Sequence, residues 1–221
     1  MNLAPYLDHT LLRPDCTAAE IQQLCQEARA YGFASACVPP CYVALAAELL
    51  QGSGVAVCTV IGFPLGYSTR LVKFREAEVA LADGADELDM VLNVSALKSG
   101  ETVAVQAEIE DLADLAHVHG ALLKVIIETA LLNDDEITVA AGLCVAAEAD
   151  FVKTSTGFAS RGASVADVEL LRRVLPAGVR IKASGGVNTR AAALVLVAAG
   201  ADRLGASNSL TLLVDNENST R

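Results

Sequence analysis

Eight short β-rich runs alternate along this chain with segments of helical periodicity, and few architectures accept that alternation. The runs fall at 6–10, 35–38, 55–61, 87–91, 122–127, 151–154, 180–183 and 203–206. The segments between them carry start and stop signals. Thr17 with Glu20 makes a capping box, Ser164 with Asp167 a looser one, Asn133 and Asn188 are candidate N-caps, and Gly32, Gly52, Gly84, Gly120 and Gly200 close helices. Strands alternating with helices join by right-handed crossovers into a parallel sheet, and eight such units in 221 residues predict a single (β/α)8 TIM barrel of the α/β class. An open doubly wound sheet competes, but no GxGxxG fingerprint follows the first run. One domain spans 1–221, with the polar stretch 215–221 expected to be a disordered tail.

A faint internal repeat strengthens the barrel. Three runs are entered by the same step, Ala85-Asp86, Ala149-Asp150 and Ala201-Asp202, and the third residue after each Asp is Asp89, Lys153 or Gly205. Units related by a barrel's rotation would put these three at equivalent places on the C-terminal mouth, where active sites of such barrels gather.

Lys153 and Lys182 close apolar runs, Phe-Val-Lys at 151–153 and Arg-Ile-Lys at 180–182, in a chain with five lysines against eleven arginines. A cation wanted only for solubility would most often have been arginine on a helix. An amine can lose its proton and attack a carbonyl, which a guanidinium cannot do, and a second amine nearby disfavours the first one's charge. We therefore read Lys153 as a Schiff-base nucleophile, Lys182 as its neighbour and Asp89 as a carboxylate that moves protons through water. A Lys-Asp-Lys network serving only to fix the barrel competes, although burying such charges seldom favours stability. Lys124 enters its run early, toward the stability face, so pairing with a neighbouring carboxylate is expected of it; Glu128 ends the same run.

Two glycine-bearing turns, Ser184-Gly185-Gly186-Val187-Asn188 and Gly205-Ala206-Ser207-Asn208, follow the last two runs, where barrels commonly bind phosphate through backbone N–H groups. Gly157 could add another donor, and Arg161 a clamp. Such a site lets a chain of net charge -11 hold a phosphorylated substrate through local dipoles. Asp8 and Thr10 share a face that would point inward, leaving His9 toward the helices.

That net charge, the absence of Trp and an aromatic content of 4% argue against nucleic-acid binding. No apolar run reaches a membrane span, and the opening residues lack a secretion signal, so a soluble, cytoplasmic protein is expected. Six cysteines without a CxxC pair read as small buried hydrophobes. His117 and His119 diverge on a helix, and neither a metal nor a cofactor is expected. A homodimer is expected from the apolar faces of the helix at 191–199.

The ordered motifs LDHTLL (7–12), GFPLG (62–66), GADELDMV (84–91), LKVIIET (123–129), DFVKTSTGF (150–158), IKASGGV (181–187) and RLGAS (203–207) resemble the class I deoxyribose-phosphate aldolases, from about residue 6 to 210. The resemblance implies Schiff-base lyases on a (β/α)8 barrel that reversibly cleave 2-deoxy-D-ribose 5-phosphate to acetaldehyde and D-glyceraldehyde 3-phosphate. It implies that Lys153 forms the imine, Lys182 perturbs it, Asp89 relays protons, and Gly157, Gly185, Gly186, Gly205 and Ser207 hold the phosphate, with Asp8 and Thr10 as polar groups near the pocket. The chain departs from the family pattern at Phe158, where some members carry a phosphate-binding lysine, at Asn208, and in a tail without the aromatic that ends many members. Another lysine-dependent aldolase, or a silent barrel that binds sugar phosphates, is the alternative.

Overall fold

Strands β1 (Leu7–Thr10), β2 (Ser35–Val38), β3 (Ala56–Ile61), β4 (Glu87–Val91), β5 (Leu122–Ile126), β6 (Phe151–Lys153), β7 (Arg180–Ser184) and β8 (Arg203–Ala206) pair in parallel in chain order, and β8 closes on β1. This computed structural model describes residues 1–214, so the tail expected to be disordered at 215–221 lies outside the described residues. Around the strands run α1 (Ala18–Tyr31), α2 (Val43–Leu50), α3 (Arg70–Ala82), α4 (Val94–Lys98), α5 (Thr102–Val118), α6 (Asp134–Ala146), α7 (Val165–Val174), α8 (Arg190–Ala198) and α9 (Ser209–Leu213). The closed barrel expected from the alternation is therefore the architecture observed.

Local chemistry explains the helix ends. Thr17 and Glu20 form the expected capping box on α1, and Asn133 with Glu136 forms a second one on α6. Helix α1 buries Ile21, Leu24, Cys25 and Ala28, an i, i+3, i+4, i+7 stripe, and Gly32 ends it at φ 63. The expectation for Asn188 fails by one residue: Thr189 caps α8, its hydroxyl accepting from the Ala192 N–H, while Asn188 remains in the preceding loop. Tyr6 belongs to a short 3-10 turn ahead of β1, and β5 stops at Ile126 because Glu128 turns the backbone left-handed at φ 54.

The repeated Ala-Asp step proves to be a clamp between strands. Asp86, Asp150 and Asp202 each accept a backbone N–H from the preceding strand, from Val57 at 2.8 Å, Leu123 at 2.9 Å and Ile181 at 2.8 Å. Each Asp also donates its own N–H back to the same residue's carbonyl. These paired bonds fix the register of β3 on β4, β5 on β6 and β7 on β8.

That register stacks the interior in layers contributed by alternate strands. Ser35, Glu87, Phe151 and Arg203 form the lowest; Asp8, Cys58, Lys124 and Lys182 the middle; and Cys37, Asp89, Lys153 and Gly205 the upper one. Barrel interiors usually hold bulky aliphatic side chains. Here seven of the twelve positions carry charge: Asp8, Glu87, Asp89, Lys124, Lys153, Lys182 and Arg203. The apolar core lies instead between strands and helices, with Leu88, Met90, Leu123, Val125, Val152, Ile181 and Leu204 on the outward face of the sheet.

Candidate active site

Asp89 on β4 is the hub of the interior. Its Oδ2 accepts from Lys153 Nζ at 2.6 Å and Lys182 Nζ at 2.7 Å, and its Oδ1 accepts from Lys124 Nζ at 2.7 Å. Lys182 also pairs with Asp8, and Lys124 with Glu87 at 2.6 Å. The structure thus brings Lys153, Lys182 and Asp89 together as the sequence predicts. Two placements differ. Lys182 lies one layer below the strand end, because β7 continues to Ser184, and Lys124 sits in that same middle layer rather than toward the stability face.

Electrostatics divides the three amines. Burial alone would strip the proton from Lys182, but the Asp8 and Asp89 carboxylates override it and raise its pKa above the ordinary lysine value. For Lys124, burial is likewise overridden, first by Asp89 and then by Glu87 and Asp8, and its pKa is raised well above the ordinary value. Burial would lift the two carboxyls, yet Lys182, Lys124 and Arg203 hold Asp8 below the usual carboxylate range, and Lys124, Lys153 and Lys182 hold Asp89 well below it. Lys124 and Lys182 are fixed cations, each held at bonding distance by two carboxylates, with Asp8 also 4.0 Å from Lys124. Lys153 contacts one.

Above Lys153 opens a cavity of about 420 Å³. Thr10, Gly157, Gly185, Gly186, Gly205 and Ser207 all line it, so every expected phosphate-loop residue shares one space with the Lys153 amine. Gly157, Gly185 and Gly186 take φ of 88, 82 and 75, a left-handed backbone that glycine adopts without strain and that turns N–H groups toward an anion. The two loops are locked together: Ala163 N–H donates to the Ser184 carbonyl at 2.9 Å, and a Cβ on Gly162 would stand 2.0 Å from the Gly185 carbonyl oxygen. Gly205 has a second role, since a Cβ there would approach Ser184 Cβ to 2.8 Å and Lys182 Cε to 3.3 Å.

Other expected contacts do not form. Asp8, grouped by its inward face with the substrate-binding residues, is fully buried in the middle layer and does not line the cavity, because Lys182 and Arg203 hold its carboxylate beneath the floor. Arg161 is no clamp: its guanidinium is held by Asp167 and donates to the Thr129 carbonyl at 3.0 Å, bracing the loop after β6. Glu128 faces a neighbouring cavity and accepts from the Thr156 N–H at 3.2 Å, steadying a residue that lines both spaces. His9 points to the helices as expected, bonded to Ser209 at 3.0 Å and Glu27 at 2.8 Å.

Sequence reasoning missed Glu87, Arg203 and Cys58. The signal existed, because two residues before Asp89, Lys153 and Gly205 on the same strand faces stand Glu87, Phe151 and Arg203. Cys58, read as a small hydrophobe, lies with its Sγ 3.3 Å from Asp89 Oδ1, and burial pushes its thiol pKa well up.

A lysine beside a carboxylate at the mouth of a parallel barrel, facing glycine loops, is an arrangement that comparison can place. The family model for DeoC/LacD family aldolase matches residues 3–213. The chain belongs to that family. Deoxyribose-phosphate aldolase 1 of Bacillus licheniformis is 51% identical, over 96% of this chain and 94% of that protein. Among solved structures, a putative deoxyribose-phosphate aldolase from Coccidioides immitis superposes with a TM-score of 0.92 at 43% identity, covering 96% of this chain and 84% of that one. The deoxyribose phosphate aldolase of Aeropyrum pernix, described as a unique tetrameric structure, gives 0.90 at 38% identity over 96% and 89%. Like those barrels, this DeoC/LacD aldolase is built of eight parallel strands, and no helix among its described residues is long and apolar enough to cross a membrane.

Proposed function

We propose that this aldolase reversibly cleaves 2-deoxy-D-ribose 5-phosphate to acetaldehyde and D-glyceraldehyde 3-phosphate through an imine on Lys153. One observation carries the reading: of the seven charged residues in the barrel interior, Lys153 alone lines the cavity. The relatives' names supply the substrate, and the glycine loops sharing that cavity supply a place for its phosphate.

Lys153 Nζ adds to C1 of the open-chain sugar, and loss of water leaves an iminium. That cation withdraws electrons, so deprotonation of the C3 hydroxyl breaks the C2–C3 bond and releases the triose. The enamine left on Lys153 is protonated at C2, and hydrolysis frees acetaldehyde. Ammonium and iminium carry the same charge, so Asp89 keeps a cationic partner at both stages and the preorganised network needs no rearrangement. Lys182 positions Lys153 and balances its charge, while Asp89, bonded to both amines, passes protons to and from the substrate through water in the cavity.

Gly157, Gly185, Gly186, Gly205 and Ser207 are proposed to take the 5-phosphate and Thr10 a sugar hydroxyl. Comparing 2-deoxyribose with its 5-phosphate tests this: kcat/KM is expected to fall at least 10²-fold without the phosphate, and equal efficiency would rule out the glycine-loop site. Release of pyruvate, or turnover of neither sugar by intact protein, would favour another lysine aldolase or a silent barrel. The reading also includes a cytoplasmic homodimer. Helix α8 supports the dimer less than its sequence suggested, since it packs Ala193 and Leu196 into its own barrel and leaves only Val195 of its large apolar side chains exposed. Sedimentation equilibrium decides the oligomer.

A further inference from the structure

Six side chains in the barrel close a ring of alternating charge. Arg203 bonds Asp8 at 2.6 Å and Glu87 at 3.2 Å, Glu87 meets Lys124 at 2.6 Å, Lys124 and Lys182 each meet Asp89 at 2.7 Å, and Lys182 returns to Asp8. Three carboxylates and three cations cancel within it. Lys153 lies outside, joined by its single contact with Asp89. We propose that Glu87 and Arg203, in the layer farthest from the cavity, are positioning residues that keep this ring neutral and thereby set the pH at which Lys153 condenses with an aldehyde. The inference rests on the aldolase reading above.

Neither residue approaches the cavity, so substrate contact does not account for them. Stability accounts for them poorly, because a buried ion network is seldom better than aliphatic packing. Neutrality gives them a purpose. An uncompensated charge in this interior is little screened by salt and acts on its neighbours at several ångströms. With the ring balanced, the cation at Lys153 is opposed by no excess charge of either sign.

The groups facing Lys153 from each element are Asp8 on β1, Cys37 on β2, Cys58 on β3, Glu87 and Asp89 on β4, Lys124 on β5, Lys182 on β7 and Arg203 on β8. Arg13 stands at the cavity wall, itself paired with Asp15 and Glu20, and the Glu128 carboxylate is taken by Thr156. Cys58 stays a neutral thiol because burial pushes it well up, and a hydrogen bond from Cys58 draws Cys37 below the ordinary thiol value.

Glu87→Gln removes an anion and leaves the ring with one excess cation, which disfavours a further cation at Lys153. Arg203→Met leaves one excess anion and favours it. In the pH profile of kcat/KM with 2-deoxyribose, a substrate without an ionisable phosphate, the acid limb should move down in the first variant and up in the second. Each displacement is on the order of one pH unit. The double variant Glu87→Gln/Arg203→Met is neutral again and should return the limb to its wild-type place. Residues that merely support the fold would not give shifts of opposite sign that cancel. Unmoved limbs, shifts in one direction, or a double variant that does not revert would overturn the proposal. Should Arg203→Met fail to fold, the near-isosteric Glu87→Gln must still move the limb down. Wild-type protein that forms no borohydride-trapped acetaldehyde adduct would sink the aldolase reading and this inference with it, whereas an adduct with unmoved limbs would sink the ring alone.

Discussion

The three lysines of the interior share a residue type and differ in company. Lys182 and Lys124 are each fully buried and held by two carboxylates at bonding distance, whereas Lys153 has one partner and an open cavity above it. Substituting Lys182→Met leaves Asp8 and Asp89 without a shared cation, so stability should fall by about 3–5 kcal/mol and kcat by about 10²-fold or more. Thermal unfolding together with retro-aldol turnover checks both. The meeting of Lys153, Asp89 and Lys182 was legible in the sequence because an ionisable group within an otherwise apolar strand is costly unless it is paired. Glu87 and Arg203 carried a weaker signal, their place two residues before Asp89 and Gly205 on the same strand faces, and it was masked because a charge at a strand's first residue reads equally well as solvated entry. Asp8 was legible as inward-facing, but period-two alternation gives a face and not a depth, and only the register shows that it lies under the floor.

At the scale of elements, the alternation of runs and helical segments was enough to specify the closed barrel, and errors were confined to single residues at ends, where a cap or left-handed turn decides. The Ala-Asp step was legible as a repeat, although its chemistry, an Asp side chain bonding the preceding strand, joins residues 21 to 29 positions apart that sequence alone does not pair. The same repeat exposes a local fault. The residue before each step is left-handed, Gly84 at φ 100 and Gly200 at φ 115 in the first and third units, but the second unit has Glu148 at φ 57. A side chain there costs about 1–2 kcal/mol, partly offset by the entropy glycine loses on folding. Glu148→Gly is therefore expected to raise stability by about 0.5–1 kcal/mol, read as a higher denaturant midpoint at unchanged slope. Unchanged or lower stability would show that the strain is relieved elsewhere.

For the molecule as a whole, an interior built of charge ties stability to pH on both sides. Asp8 and Asp89 titrate lower in the fold than in the unfolded chain, so their contribution is full above about pH 4 and is lost as the pH falls through their depressed folded-state values. Burial also lowers His9 despite Glu27, which removes stability more gently below about pH 6.5. Burial lifts Cys25 to about 11 and Cys144 to about 12, so stability declines above about pH 8.5 as the unfolded thiols ionise. Lys124 and Lys182, raised in the fold, add a further loss above about pH 10.4. Melting temperature should accordingly peak between about pH 6.5 and 8.5 and drop steeply below about pH 4. A profile flat to acid below pH 4 would contradict the charged interior. The imine itself is tested most directly by borohydride reduction of the protein with acetaldehyde, followed by peptide mass spectrometry. We expect one added ethyl group, on Lys153, absent in Lys153→Ala; folded wild-type protein that stays unmodified, or carries the group on Lys182 or Lys124 instead, would contradict the account.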